Sequence, residues 1–324
     1  MDFSSHKWLS SSTVIYAYDH PHRHGGVTWR PMLFYFGAAA AVLVLMSAGI
    51  TRLRSLPSIS QSPSAAVTLK PTNLPPPVQM SAAPAVAAET PKPDKSAVLQ
   101  NLLDQWQNSH PDKQWAVVIQ GLNDSSLSAK LAPDQKYDPA SIYKLYLTYQ
   151  LFQKYNLDSL GDMSLNVDGR GSQSYKTCLD QMIKVSDNPC GEAMGYSLGW
   201  GRAESALQQI GMNDTDLNNP KGLTSTAGDA AVFLQKMYAG QLFDSATQQY
   251  LISLMQSQIY RSGIPAGCDS CQVADKTGDI GSVRNDAAIV EYGGGAYVLT
   301  IFTNGASYGQ IAQLAQQIQA IVAS

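Results

Sequence analysis

Hydrophobic and polar positions divide the chain into four stretches. Residues 1–30 are polar and mixed. From Met32 to Ile50 the chain is apolar and carries no charge, with Trp29, Arg30, Arg52 and Arg54 at its flanks. As a helix this run spans roughly 28 Å, about one bilayer core, and the flanking residues are interface anchors. Its polar lead and its length exceed those of a cleavable signal peptide, so residues 31–51 are expected to be an uncleaved transmembrane signal anchor. Residues 52–95 are rich in Pro, Ser, Ala and Thr and nearly devoid of aromatics. They read as a linker that cannot form a core. Residues 96–324 carry the periodic patterns of a folded domain.

In that domain, residues 96–109 place Val98, Leu102 and Leu103 at helical spacing, followed by Trp106. Trp115–Leu122 reads as a strand, and Asn123-Asp124 turns the chain into a second strand at Leu127–Leu131. A helix-rich stretch runs from about Ala140 to Ser257. Gln272–Thr277, Ala287–Tyr292 and Tyr297–Phe302 read as three more strands, and Gly293-Gly294-Gly295 forms the last hairpin turn. Ala306–Val322 closes as a helix. Strands at both ends of a helical middle predict an α+β fold: one antiparallel five-stranded sheet flanked by helices, with an all-helical lobe.

A net charge of −3 gives no basic face for nucleic acid. Charges around the apolar run balance, with Lys7, Arg23 and Arg30 before it and Arg52, Arg54 and Lys70 after it, so they do not set orientation. The four cysteines, Cys178, Cys190, Cys268 and Cys271, read as two disulfides in an exported domain. Cys178–Cys190 with Cys268–Cys271 is the simplest of three connectivities, and a four-cysteine zinc site is the rival. His20, His22 and His24 could hold a metal, or form a solvated tail beside the membrane.

His110 is the only histidine after the apolar run, too few for a histidine-ligated zinc and a single candidate for a Ser-His-Asp triad. Lysine can serve as the base instead. In Asp138-Pro139-Ala140-Ser141-Ile142-Tyr143-Lys144, Asp138 can cap a helix and Pro139 suits its first turn. Ser141 then lies at the positive end of the helix, and Lys144, one turn on, shares its face. A neutral Lys144 could take the serine proton, given burial or a second cation nearby. Alone the pattern means nothing, since Ser4-Ser5-His6-Lys7 matches it too. Its weight comes from Ser186-Asp187-Asn188 after a helical segment and Lys276-Thr277-Gly278 on a strand.

These three motifs, in this order, resemble the S-x-x-K, S-D-N and K-T-G set of class A β-lactamases and penicillin-binding proteins, over residues 96–324. The resemblance implies Ser141 as nucleophile, Lys144 as its base and Ser186 as proton shuttle to the leaving nitrogen. It implies that Asn188 bonds the substrate's side-chain amide. Lys276 would hold the substrate carboxylate and help keep Lys144 neutral, with Thr277 and Gly278 beside it. The N–H groups of Ser141 and Asp279 would form the oxyanion hole. Arg284 stands one residue off the register of the family's carboxylate-binding arginine. The Asp279 side chain either faces the region of the substrate carboxylate or points to solvent.

The chain departs from that family where class A enzymes keep a water-activating glutamate. The matching stretch, Gly211 to Thr224, looks shortened and has none. Asp214 sits where D-x-x-L-N mimics the pattern, one methylene short. The resemblance therefore implies an extracytoplasmic serine hydrolase acylated by β-lactams, linked to β-lactam resistance, with no cofactor or resident metal. Two rivals stand beside it: a D,D-peptidase acting on D-Ala-D-Ala-like peptides of the cell wall, and a non-catalytic receptor for β-lactams or wall fragments.

Overall fold

The structure, a computed structural model, describes residues 94–324. The tail at 1–30, the apolar segment at 31–51 and the linker up to residue 93 lie outside these residues. Among the described residues no helix is long and apolar enough to cross a membrane.

Asp94 opens α1 (Lys95–Ser109), accepting the Ser96 N–H at 2.9 Å. Strands β1 (Gln114–Gly121) and β2 (Ser128–Leu131) follow. Then come α2 (Tyr143–Lys154), the hairpin β3 (Ser164–Val167) and β4 (Gly171–Ser174), and α3 (Tyr175–Lys184). Helices α4 (Asn188–Leu198), α5 (Trp200–Gln209), α6 (Ala227–Tyr238) and α7 (Ser245–Gln256) complete the helical lobe. The chain returns to the sheet through β5 (Gln272–Ile280), β6 (Val283–Tyr292) and β7 (Gly295–Asn304), and ends in α8 (Tyr308–Val322).

The main sheet is five-stranded and antiparallel, in the order β2-β1-β7-β6-β5. Both of its faces are covered, which is why β1 reads as a continuous apolar run rather than an alternating one. Ala116 and Val118 turn to the helical lobe, while Val117 and Ile119 turn to the layer holding Leu99 and Leu103 of α1 and Ile311 and Leu314 of α8. The helix that follows Ser141, α2, runs through the lobe with Lys144 to Thr148 and Leu151 all buried. A helix apolar nearly all round belongs inside, and this one fixes the depth of the lysine it carries.

Three local readings of the sequence change. Strands β5 and β6 are longer than their apolar cores, because Gly278, Asp279, Arg284, Asn285 and Asp286 continue the pairing although they break the hydrophobic pattern. The helix-rich middle contains the β3–β4 hairpin, whose signal was the Asp168-Gly169 turn between two short runs. Ser141 does not stand in an α-helix: Ala140–Ile142 form a 3₁₀ turn and α2 begins at Tyr143. Asp138 caps that turn instead, accepting the Ala140 N–H at 2.7 Å. The cysteines form two disulfides, Cys178–Cys190 and Cys268–Cys271, which removes the zinc reading.

Candidate active site

The turn that presents Ser141 is held from several sides. Tyr137 pairs with Ser225 through the backbone. The Asp138 carbonyl accepts from Asn285 Nδ2 at 2.9 Å. Ala140 has φ +45°, a left-handed conformation that a side-chain-bearing residue rarely adopts. Strand β5 passes so close that a Cβ on Gly278 would lie 2.6 Å from the Pro139 carbonyl oxygen. Glycine at 278 is therefore required for the nucleophile turn and the K-T-G strand to meet.

Lys144 Nζ lies 2.9 Å from Ser141 Oγ. It also donates to the Ser186 carbonyl at 2.5 Å, to Asn188 Oδ1 at 2.6 Å and toward Ser186 Oγ at 3.5 Å. Ser186 has φ +58°. Such a conformation costs about 1–3 kcal/mol and persists only where the surroundings fix it. Here Asp187 caps α4 through Cys190 N–H at 2.9 Å and binds Arg170 of the β3–β4 loop at 2.8 Å. The Cys178–Cys190 disulfide ties α3 to α4 across the turn at residues 185–187 that holds Ser186.

Lys276 reaches the other side of Ser186. Its Nζ is 2.9 Å from Ser186 Oγ, 2.8 Å from the Thr277 carbonyl and 3.2 Å from Gln258 Oε1. Both lysines are fully buried, and among the described residues neither is in an ion pair. Burial disfavours an ammonium that has no counter-ion. It lowers the Lys144 amine to about 8, with the fields of Asp187 and Glu192 opposing. It lowers Lys276 to about 7, aided by the charge of Lys144 and opposed by Asp275 and Asp286. Two groups this close titrate as a pair, so one proton leaves the pair near neutrality.

Behind Lys276 sit two buried acids. Asp275 bonds Gln258 Nε2 at 2.6 Å and pairs with Arg261. Asp286 accepts the Ile264 N–H at 2.7 Å. Burial raises Asp286 to about 7, and burial with the Asp286 charge raises Asp275 well above the carboxylate range.

Ser141, Ser186, Asn188, Thr277 and Asp279 line one cleft of about 450 Å³. Tyr260, Ser262 and Tyr308 complete its wall. These three carry no motif. Tyr308 is held by donating to the Gly278 carbonyl at 3.1 Å. Asp275 did leave a signal, as a charged position inside an apolar strand; Asp286 and Gln258 left none.

Two candidates fall elsewhere. Arg284 Nε pairs with Asp279 Oδ2 at 3.0 Å, and its Nη1 bonds the carbonyls of Gly281 at 2.8 Å and Val283 at 2.7 Å. The arginine thus braces its own hairpin and does not line the cleft. Asp214 faces Lys136 at 3.6 Å in a separate depression, with its N–H bonded to Asp229. The Asp216–Thr224 bridge closes this stretch into a short hairpin, and Glu204 of α5 holds Leu217 N–H at 3.0 Å and Asn218 N–H at 3.1 Å. No residue from 211 to 224 lines the cleft. As a water-activating base Asp214 is therefore misplaced.

A family model described as the β-lactamase enzyme family matches residues 96–323. Among solved structures, a mutant of PBP-A in an acyl-enzyme complex with penicillin G is 23% identical at a TM-score of 0.61, over 70% of this chain and 95% of that one. A β-lactamase from Sphaerobacter thermophilus DSM 20745 is 15% identical at 0.60, over 69% and 97%. The TLA-1 extended-spectrum β-lactamase is 16% identical at 0.63, over 71% and 100%. At these identities the likeness is one of fold. No curated protein matches the chain.

The position of Lys144 can be tested without touching any motif residue. A Cβ on Gly191 of α4 would stand 2.8 Å from both Lys144 Cε and Tyr143 Oη. Gly191→Ala should favour the helix slightly, yet push the amine off Ser141. Reactivity of Ser141 toward a serine-directed covalent reagent is expected to fall on the order of 10²-fold, with the circular dichroism of the fold kept. Wild-type reactivity in that variant would contradict the placement.

Proposed function

The chain belongs to the β-lactamase enzyme family, and we propose that it is a class A-like active-site-serine hydrolase that β-lactams, or the D-Ala-D-Ala-like amides they mimic, acylate at Ser141. The observation that carries this reading is the unbroken line of hydrogen bonds from Ser141 through Lys144 and Ser186 to Lys276 along one cleft. A binding module has no use for a nucleophile flanked by two buried amines.

In this mechanism neutral Lys144 accepts the proton of Ser141 Oγ as that oxygen attacks the carbonyl carbon. The N–H groups of Ser141, at a helix start, and of Asp279 stabilise the developing oxyanion. The carbon–nitrogen bond then breaks. Ser186 passes a proton to the departing nitrogen and is resupplied from the Lys144–Lys276 pair. Thr277 and Lys276 face the substrate carboxylate. Asn188 keeps its Nδ2 for the substrate amide, since its oxygen is taken by Lys144.

Release of the acyl group is the slow step in this reading. The carboxylate lining the cleft is Asp279, and Arg284 holds it. A base must stand about 2.6–3.2 Å from the attacking water, and Asp214 lies in another depression. A mutant of PBP-A, whose fold is shared, was captured as an acyl-enzyme with penicillin G. The same lack of a water base favours a second reading, a cell-wall D,D-peptidase that β-lactams trap. We further propose that residues 96–324 work outside the cytoplasm, joined by the proline-rich stretch to a membrane anchor at 31–51. The length of the apolar run and the two disulfides support this.

A fluorescent penicillin should label the wild type covalently and leave Ser141→Ala unlabelled; a labelled alanine variant would contradict the nucleophile. With a chromogenic cephalosporin, the wild type should release one burst per active site and then turn over slowly. Fast turnover without a burst would contradict the slow release. A reporter active only in the cytoplasm, fused after Ser324, should stay silent; activity there would reverse the topology.

A further inference from the structure

Gln258 belongs to no motif and stands just beyond α7, yet it is only 2% exposed. Its side-chain amide is wholly engaged with three consecutive residues of β5. Nε2 donates to the Asp275 carbonyl at 3.1 Å and to Asp275 Oδ2 at 2.6 Å. Oε1 accepts from Thr277 N–H at 3.2 Å, Thr277 Oγ1 at 3.0 Å and Lys276 Nζ at 3.2 Å.

Strand β5 is the outer strand of the sheet. A strand turns the N–H and C=O of every second residue to the same edge. The Asp275 carbonyl and the Thr277 N–H thus face outward, where no sixth strand meets them. The Gln258 amide offers one acceptor and one donor group, as a peptide unit does, and bonds this pair as a neighbouring strand would. By the same alternation the Asp279 N–H faces outward one step further on, at the cleft. The edge is closed behind Thr277 and open where the oxyanion would sit.

We propose that Gln258 is a positioning residue for the acyl-serine reaction: it caps the edge of β5 and holds Lys276 and Thr277 in place against Ser186, without touching the substrate. The role rests on the acylation chemistry proposed above. A neutral amide suits it for a physical reason. Charged groups approach from every side: Asp275 and Lys276 on β5, Asp286 on β6, Arg261 before β5, and Lys144 on α2 through Ser186. A carboxylate at 258 would keep the acceptor but hold Lys276 charged and confront Asp275. An apolar side chain would leave the Thr277 N–H and the Asp275 carbonyl buried without partners.

Acylation of the full chain by a fluorescent penicillin, followed from about pH 6 to about pH 10, tests the role in two variants. Gln258→Leu should acylate on the order of 10²-fold more slowly. Gln258→Glu should regain near wild-type rates at high pH, with the rising limb of its pH profile moved up by about one unit, since an adjacent negative charge favours the protonated amine. Wild-type rates and an unshifted profile in both variants would overturn the role while leaving the acyl-serine reading intact. If Gln258→Leu does not fold, the profile of Gln258→Glu decides alone, an unshifted limb overturning the proposal. A wild type that takes no label at any pH would overturn the acyl-serine reading and this role with it.

Discussion

Two lysine ammonium groups buried around one serine hydroxyl, with no carboxylate among the described residues paired to either, are the constraint on which the site depends. Burial penalises both charges, and the field of Lys144 further penalises Lys276. The fold relieves the conflict by losing one proton from the pair near neutrality; Ser186 Oγ lies between the two amines, so the neutral amine can stand on Lys144, beside Ser141. An ion pair to either lysine would remove the strain and the chemistry together. The nearest acids show how this is avoided. Asp275 and Asp286 are themselves buried and raised, and Asp275 pairs with Arg261 rather than with Lys276.

The rest of the architecture serves to hold those amines in place. Helix α2 is buried nearly all round, which carries Lys144 out of water. The Ser186 turn is left-handed and is braced by Asp187, Arg170 and the Cys178–Cys190 disulfide. Gly191 makes room for the Lys144 side chain and Gly278 for the approach of β5 to the 3₁₀ turn. Strained backbone at Ala140 and Ser186 flanks the nucleophile and the shuttle, where surrounding contacts over-determine each conformation.

Much of this was legible in the sequence because it is local. The spacing of Ser141 and Lys144, the three motifs and the outer strands all follow from short-range pattern. The layer order also follows, since apolar runs at both ends require a covered sheet. What escaped depends on pairing across the chain. Gly278 through Asp286 break the apolar pattern, so the strands looked shorter than they are. Tyr260, Ser262 and Tyr308 meet only in the folded cleft. Gln258 matters because β5 is an edge strand, a fact of topology that no window of sequence contains. Asp214 shows the opposite failure: its spacing mimicked a family pattern, but the Asp216–Thr224 bridge and the Lys136 contact place it elsewhere.

The most direct measurement is the titration of the lysine side-chain nitrogens by heteronuclear NMR in the native protein, with Lys144 and Lys276 assigned through their arginine variants. The account predicts that one proton leaves this pair between about pH 7 and about pH 8, well below an ordinary lysine near 10.4. If both amines stay charged up to about pH 10, Lys144 is not a base at neutral pH, and the account is contradicted.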